Sequence, residues 1–331
     1  MRNGGDARPA AKAFSYASKC DTFARMHTFY RSLAVLSTTF VLTTGCSSSS
    51  TEGPQSSTTG DPTGETLDFV VGGDRPVTVH VPPGFDKNKP APLVILLHGL
   101  GASGFVQELV FQLEPESDKR GFLYAHPDGT VGADKKRFWN ATDVCCDFGG
   151  TMVDDVAYLT GLVKEIGEHY PVDPKRVFFT GHSNGGFMSH RLACDKPDVI
   201  AAVASLAGST YLDPTKSNPS ETIGVLQIHG TNDTSVKYDG EVQDGAGYPS
   251  ASETIAIWAG KNGCDPMAQS APAMDIDAVL DGNETLVTRH ENCKAGGAAE
   301  LWTMQGAGHI PGLGPNFAPA LVDWLFAHAK P

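Results

Sequence analysis

From residue 66 onward the chain alternates short apolar runs with amphipathic stretches. Leu93-Val94-Ile95-Leu96-Leu97 is continuously apolar, which predicts a strand buried on both faces. Phe122–Ala125, Val177–Thr180, Ala201–Ala204 and Val225–Ile228 predict further strands of this kind, and Leu301–Met304 the last one. Pro76–Val81 alternates instead, as an early strand with one exposed face does. Val153, Val156, Leu159, Val163 and Ile166 recur at three- and four-residue steps and predict a helix closing at Tyr170-Pro171. Phe317, Leu321, Trp324 and Leu325 predict a final amphipathic helix. Buried strands alternating with helices imply an α/β fold, a mostly parallel central sheet with helices on both faces. Ligands of such sheets sit at the carboxyl ends of the strands.

The pattern before residue 66 differs. Arg25 and Arg31 flank an apolar run, Ser32–Leu36 through Phe40-Val41-Leu42, which ends at Thr43-Thr44-Gly45-Cys46. A positive start, an apolar stretch too short to span a bilayer and small residues at its end predict an export signal over 1–46, with Met26 as an alternative start. Gly45-Cys46 followed by four serines resembles the lipobox of bacterial lipoproteins, although Thr43 stands where Leu is usual. The expectation is lipidation at Cys46 and anchorage at the cell envelope, with simple cleavage and secretion as the alternative. Residues 47–65, rich in Ser, Thr, Gly and Pro, predict a flexible tether, and 66–331 one catalytic domain with none after it.

The net charge of −13 understates the acidity of that domain. Residues 1–45 carry six Lys/Arg against two Asp, which leaves −17 for the rest. Nucleic acid is therefore excluded as a partner, and membrane contact is expected only through the lipid anchor of a monomeric protein. Of seven cysteines, Cys20 and Cys46 fall in the signal region. Cys264 and Cys293 flank one excursion and are expected to pair, steadying the loop that carries His309. Cys145, Cys146 and Cys194 form an odd set, with either one thiol left over or a vicinal Cys145–Cys146 bridge. None recurs with His at metal-ligand spacing, so no metal is expected.

The chemistry centres on Gly181-His182-Ser183-Asn184-Gly185, set between the strand at Val177–Thr180 and a helix opening at Gly185-Gly186. In that setting G-x-S-x-G predicts the nucleophile turn of an α/β-hydrolase, with Ser183 as nucleophile. A serine hydroxyl needs a base, and the base an orienting carboxylate, in the chain order Ser, acid, His. Asp233, in His229-Gly230-Thr231-Asn232-Asp233, and His309, in Gly306-Ala307-Gly308-His309, meet both the order and the strand-end placement. Asp154 and Asp155 read as capping charges of the next helix, and Asp213 and Asp239 as loop acids. The oxyanion hole is expected from the Asn184 N–H and the Leu100 N–H, with Gly101 second choice, in the small-residue loop His98–Gly104. His98, before the nucleophile, is expected to hydrogen-bond within that loop.

His98-Gly99, Phe138-Trp139-Asn140 before Cys145-Cys146, Asp154-Asp155-Val156, Gly181–Gly186, His229–Asp233 and Gly308-His309 occur in this order. Over about 66–331 the chain resembles the polyhydroxybutyrate depolymerase / feruloyl esterase family of α/β-hydrolases, which includes feruloyl and acetylxylan esterases. The resemblance implies hydrolysis of a carboxylic ester with no metal and no organic cofactor. Many relatives carry Trp-Pro-Gly shortly after the catalytic His, whereas Ile310-Pro311-Gly312 follows His309 directly. Ile310 and Trp139 are thus the candidate acyl-pocket residues. The expected substrates are feruloyl or acetyl esters of plant polysaccharide. The alternatives are a polyhydroxyalkanoate, acyl transfer to a sugar, or a surface binding protein that keeps the fold without the chemistry.

Overall fold

The computed structural model describes residues 67–331. In chain order the elements are β1 (Phe69–Val71), β2 (Val77–His80), β3 (Ala91–Leu97), α1 (Gly104–Phe111), α2 (Glu114–Arg120), β4 (Leu123–Ala125), β5 (Thr130–Val131) and β6 (Arg137–Phe138). There follow α3 (Asp155–His169), β7 (Val172–His182), α4 (Asn184–Asp195), β8 (Ala202–Leu206), β9 (Gly224–Gly230), β10 (Glu241–Gln243) and β11 (Ala246–Tyr248). The chain ends with α5 (Ala251–Asn262), β12 (Ala268–Met274), β13 (Thr285–His290), β14 (Ala298–Met304) and α6 (Phe317–Ala327).

Ten strands form one sheet in the order β1-β2-β4-β3-β7-β8-β9-β14-β13-β12. The six central strands from β4 to β14 run parallel. Antiparallel pairs finish both edges, β1–β2 at one and β13–β12 at the other. Strand β3 shows why its sequence is apolar throughout. Leu93, Ile95 and Leu97 pack into one core with Leu159 and Ile166 of α3, Phe187 and Leu192 of α4 and Trp258 of α5. Val94 and Leu96 point into a second core with Phe111, Phe122 and Leu321 and Leu325 of α6. Helices cover both faces, as the alternation predicted.

Of these edge strands only β2 was predicted, as Pro76–Val81; β1, β12 and β13 were not. Ala268–Met274 is small and polar, mostly exposed, and contains Pro272. A Pro is tolerated there because an outermost strand has one unpaired side. Asp155 also departs from expectation. Asp154 is the cap of α3, accepting from the Ala157 N–H at 2.9 Å, but Asp155 is buried in an ion pair with Arg75 at 2.6 Å. Its second oxygen accepts from the Asn140 N–H at 2.7 Å, so it ties the 140 loop to the start of the domain. Burial raises its pKa in spite of these partners.

Cys264 pairs with Cys293, Cys145 with Cys146, and Cys194 is a buried free thiol. The first bridge does not brace the His309 loop. Cys293 precedes Ala298, at the amino end of β14, and His309 follows the carboxyl end. The seven residues between those ends span about 20 Å at the rise of a strand. Two disulfides suit an oxidising compartment. No helix of the described residues is long and apolar enough to cross a membrane.

Candidate active site

Strand β7 ends at His182 and α4 begins at Asn184, so Ser183 alone makes the turn between them. Its φ of 55° and ψ of −117° lie where a side chain is strained. Two backbone bonds hold it there: the Ser183 N–H donates to the Leu206 carbonyl at 2.8 Å, and the Phe187 N–H donates to the Ser183 carbonyl at 2.9 Å. The flanking glycines are required by close approach. A Cβ on Gly185 would lie 2.2 Å from the Leu97 carbonyl oxygen, and one on Gly181 2.6 Å from the Gly185 carbonyl. Gly185→Ala is therefore expected to cost about 1–3 kcal/mol, roughly 2–4 °C in Tm for each kcal/mol. A thermal scan with an unchanged midpoint would show that the turn absorbs a methyl group after all.

The loops after β9 and β14 bring Asp233 and His309 to this turn. His309 Nε2 is 3.0 Å from Ser183 Oγ, and its Nδ1 is 2.8 Å from Asp233 Oδ2. The Asn232 N–H donates to the Ala307 carbonyl at 2.9 Å and the Gly306 N–H to Thr231 Oγ1 at 2.8 Å, so the two loops are stitched to each other. Asp233 Oδ1 accepts from the Ser235 and Val236 N–H groups at 2.8 and 2.9 Å, and His229 Nε2 lies 3.3 Å from Oδ2. Burial alone would raise this carboxyl's pKa. The hydrogen bonds from His229 and His309, the His309 charge and the Ser235 amide outweigh burial and hold it far below the usual carboxylate range. His182, the last residue of β7, donates from Nε2 to the His309 carbonyl at 2.7 Å. Burial first, then the His309 charge, brings its pKa down to about 4, so it stays neutral.

Beside Ser183 runs the loop His98–Gly104. A Cβ on Gly99 would come within 3.4 Å of the Ser183 Cβ, so the loop backbone lies directly against the turn at Ser183. The Gly99 N–H is bound to Gln107 Oε1 and the Gly101 N–H to the Arg137 carbonyl, which removes Gly101 as an oxyanion donor. The Leu100 N–H has no partner among the described residues. Asn184 opens α4, where the helix supplies no carbonyl for its N–H. His98 is fully buried and holds the loop, donating from Nδ1 to the Gly99 carbonyl and accepting from the Gly129 N–H at Nε2, both at 2.8 Å.

The profile of the family described as esterase PHB depolymerase matches residues 76–278, more than half of the chain. The chain belongs to the esterase PHB depolymerase family. It is 33% identical over 250 residues to a feruloyl esterase B of Piromyces equi, a match covering 72% of this chain and 43% of that protein. Thus the chain spans less than half the length of that relative. It is 30% identical over 268 residues to a putative esterase, NocK, of Nocardia uniformis subsp. tsuyamanensis, covering 76% and 75% of the two chains. An acetyl xylan esterase from Aspergillus awamori superposes on 80% of this chain and 99% of its own, with a TM-score of 0.55 and 16% identity, which shows a shared fold.

In this member of the esterase PHB depolymerase family, Trp139 does not line an open acyl pocket. The ring is fully buried, and its Nε1 donates to the His98 carbonyl at 3.1 Å, so it supports the loop that carries Leu100 from beneath. Ile310, by contrast, is 63% exposed beside His309. Asn184 does more than its backbone predicted. Its side chain accepts from the Trp139 N–H at 2.7 Å and donates to the Trp139 carbonyl at 2.9 Å and to Cys145 Sγ at 3.4 Å. The residue after Ser183 therefore clamps the segment bearing the vicinal disulfide. Cys46 lies outside the described residues. The reading from sequence missed His182, His190, Gln227 and His229. A signal was present, because Gln227 is a polar residue inside Val225–Ile228, a run read as buried on both faces, and His229 stands two residues beyond it, directly after that run. No group of three or more His, Cys, Asp or Glu side chains among the described residues converges in a way that could hold a metal ion.

Proposed function

We propose that this chain hydrolyses a carboxylic ester through an acyl-enzyme on Ser183. The observation that carries the reading is the continuous line Ser183 Oγ, His309 Nε2, His309 Nδ1 and Asp233 Oδ2, at 3.0 and 2.8 Å, beside two N–H groups without partners among the described residues. His309 takes the Ser183 proton as Oγ attacks the ester carbonyl. The oxyanion is held by the Asn184 and Leu100 N–H groups, a donor of this kind being worth about 2.7–4 kcal/mol in the transition state. His309 then returns the proton to the departing alcohol oxygen. Water, deprotonated in turn by His309, attacks the acyl carbonyl and releases the acid and the free Ser183 hydroxyl. Asp233 holds the imidazole in the tautomer with its proton on Nδ1 throughout.

The proposed substrates are feruloyl or acetyl esters of plant polysaccharide. The likeness to a feruloyl esterase supports them. So do the exposed Leu100, Ile310, Phe148 and Met152, which border the site or the segment clamped by Asn184 and suit an apolar or aromatic acyl group. The family description favours a polyhydroxyalkanoate as the second reading. We place the catalytic domain at 66–331, behind an export signal ending at Cys46 and a tether, as a lipid-anchored monomer. Initial rates on methyl ferulate, acetylated xylan and hydroxybutyrate oligomers separate the substrates. The highest kcat/KM is expected on one of the first two, and a clear preference for the oligomers would transfer the assignment to the second reading. A fluorophosphonate that fails to label Ser183 would remove the acyl-enzyme altogether.

A further inference from the structure

Behind Asp233 a line of buried polar side chains runs away from the site, across β9 to α4 and α5. His229 Nδ1 is 3.0 Å from Gln227 Nε2, Gln227 Oε1 is 2.8 Å from His190 Nε2, and His190 Nδ1 is 3.0 Å from Trp258 Nε1. Trp258 and Gln227 are fully buried, and His190 and His229 nearly so. Four polar side chains in a hydrophobic core are costly unless every one is satisfied.

The donors and acceptors can be assigned from the two ends. An indole N–H only donates, so His190 Nδ1 accepts and its proton sits on Nε2, facing Gln227 Oε1. Gln227 Nε2 also donates to the Gly208 carbonyl at 2.9 Å, which fixes the orientation of that amide. Its other hydrogen then points at His229 Nδ1, which must accept. His229 consequently carries its proton on Nε2, directed at the Val236 carbonyl at 2.8 Å and next to Asp233 Oδ2 at 3.3 Å. Each donor in the line meets an acceptor, and all donation runs toward the carboxylate. The Val236 N–H in turn donates to Asp233 Oδ1, so His229 also secures the loop that grips the other oxygen.

We infer that His229 is a positioning residue for Asp233, locked by Gln227, His190 and Trp258 in the tautomer that presents an N–H to the carboxylate. The inference rests on the Ser183–His309–Asp233 reading above and adds residues behind Asp233 that no part of it requires. Were His229 to carry its proton on Nδ1, a lone pair would face both Asp233 and the Val236 carbonyl. Asp233 would then lose a donor and the loop its tie, and the imidazole of His309 its fixed orientation. The other titratable groups that meet these rings are His182, packed on His309, and Tyr238, whose ring meets His229 edge-on at 5.7 Å. Tyr238 turns its hydroxyl to Thr303 Oγ1 and leaves the His229 nitrogens to the partners above.

The test compares His229→Leu, His229→Gln and Ser183→Ala in the full chain with a p-nitrophenyl ester. His229→Leu is expected to lower kcat about 10–100-fold, the usual cost of an outer-shell partner, with KM within about twofold. His229→Gln keeps an N–H near the Nε2 position and is expected to restore most of that loss. A folded His229→Leu with wild-type kcat, or a His229→Gln no better than Leu, overturns the inference. Should His229→Leu fail to fold, nitrogen NMR of the histidine-labelled wild-type protein decides, with His229→Gln identifying the resonance. The Nε2–H tautomer at pH 8 supports the proposal and the Nδ1–H tautomer refutes it. Activity surviving in Ser183→Ala would bring down the triad reading itself, a result distinct from either.

Discussion

Ser183→Ala is expected to reduce turnover of a short-chain p-nitrophenyl ester by about a millionfold, in a protein that still folds. The fold should survive because, among the described residues, the Ser183 Oγ is bonded only to His309, whereas the bonds that shape the turn are made by its backbone. Alanine keeps the Cβ and meets the same conformational strain at φ 55°. The loss is large because the remaining apparatus has nothing to activate. His309 would hold no proton donor, and the Asn184 and Leu100 N–H groups would stabilise an oxyanion formed only by attack of water. A residue of about 10³–10⁴-fold over the uncatalysed rate, typical of an oxyanion hole and binding alone, is all that should persist. Steady-state rates on freshly purified variant, with the far-ultraviolet circular dichroism of wild type, are the measurement. Turnover within tenfold of wild type would mean that another group is the nucleophile.

What the sequence made legible follows from how each feature is encoded. Helices bury both faces of the central strands, so the apolar run Leu93–Leu97, and Val225–Ile228 apart from Gln227, could be read directly. The edge strand Ala268–Met274 has no such pressure, since one side is unpaired and most of its residues are exposed, and its composition looks like a loop. The turn at Ser183 was legible because only glycine fits at positions 181 and 185 against the Leu97 carbonyl. Asp154 and Asp155 look alike as acids before a helix, yet one residue of advance along the helix turns the second inward to Arg75. Trp139 shows the converse limit. An aromatic ring near a motif reads the same whether it faces substrate or supports a loop, and only its burial and the bond to the His98 carbonyl decide. Gln227 was visible as a misfit in an apolar run with His229 just beyond it, but the residues that complete their line come from α4 and α5, distant in sequence.

Asp233→Asn is expected to lower kcat about 10⁴-fold, the effect of a wrong imidazole tautomer rather than of a lost charge alone. The surroundings of Asp233 dictate how the amide must lie. The Ser235 and Val236 N–H groups both donate to Oδ1, so the asparagine carbonyl must take that place. Its NH₂ then occupies the Oδ2 position and points at His309 Nδ1 and at the proton on His229 Nε2. His309 Nδ1 can only accept from that group, which drives the proton to Nε2, where it faces Ser183 Oγ and cannot receive the hydroxyl proton. Turning the amide over would restore an acceptor for His309 at the expense of both backbone bonds. The pH dependence adds an independent check. Because the carboxyl of Asp233 is held far below its usual range, its stabilising contribution is fully present above the unfolded value of about 3.9. That contribution is lost progressively as pH falls from there toward the depressed native value. In wild type Asp233 should therefore stay ionised across the whole neutral range and contribute nothing to any acid limb of kcat/KM there. In Asp233→Asn the fall in stability below about pH 4 should be smaller than in wild type, because the variant has no carboxylate there to protonate. Equal acid sensitivity of the two proteins, measured by denaturant unfolding at pH 3 and 7, would show that Asp233 is not the depressed carboxyl that orients His309.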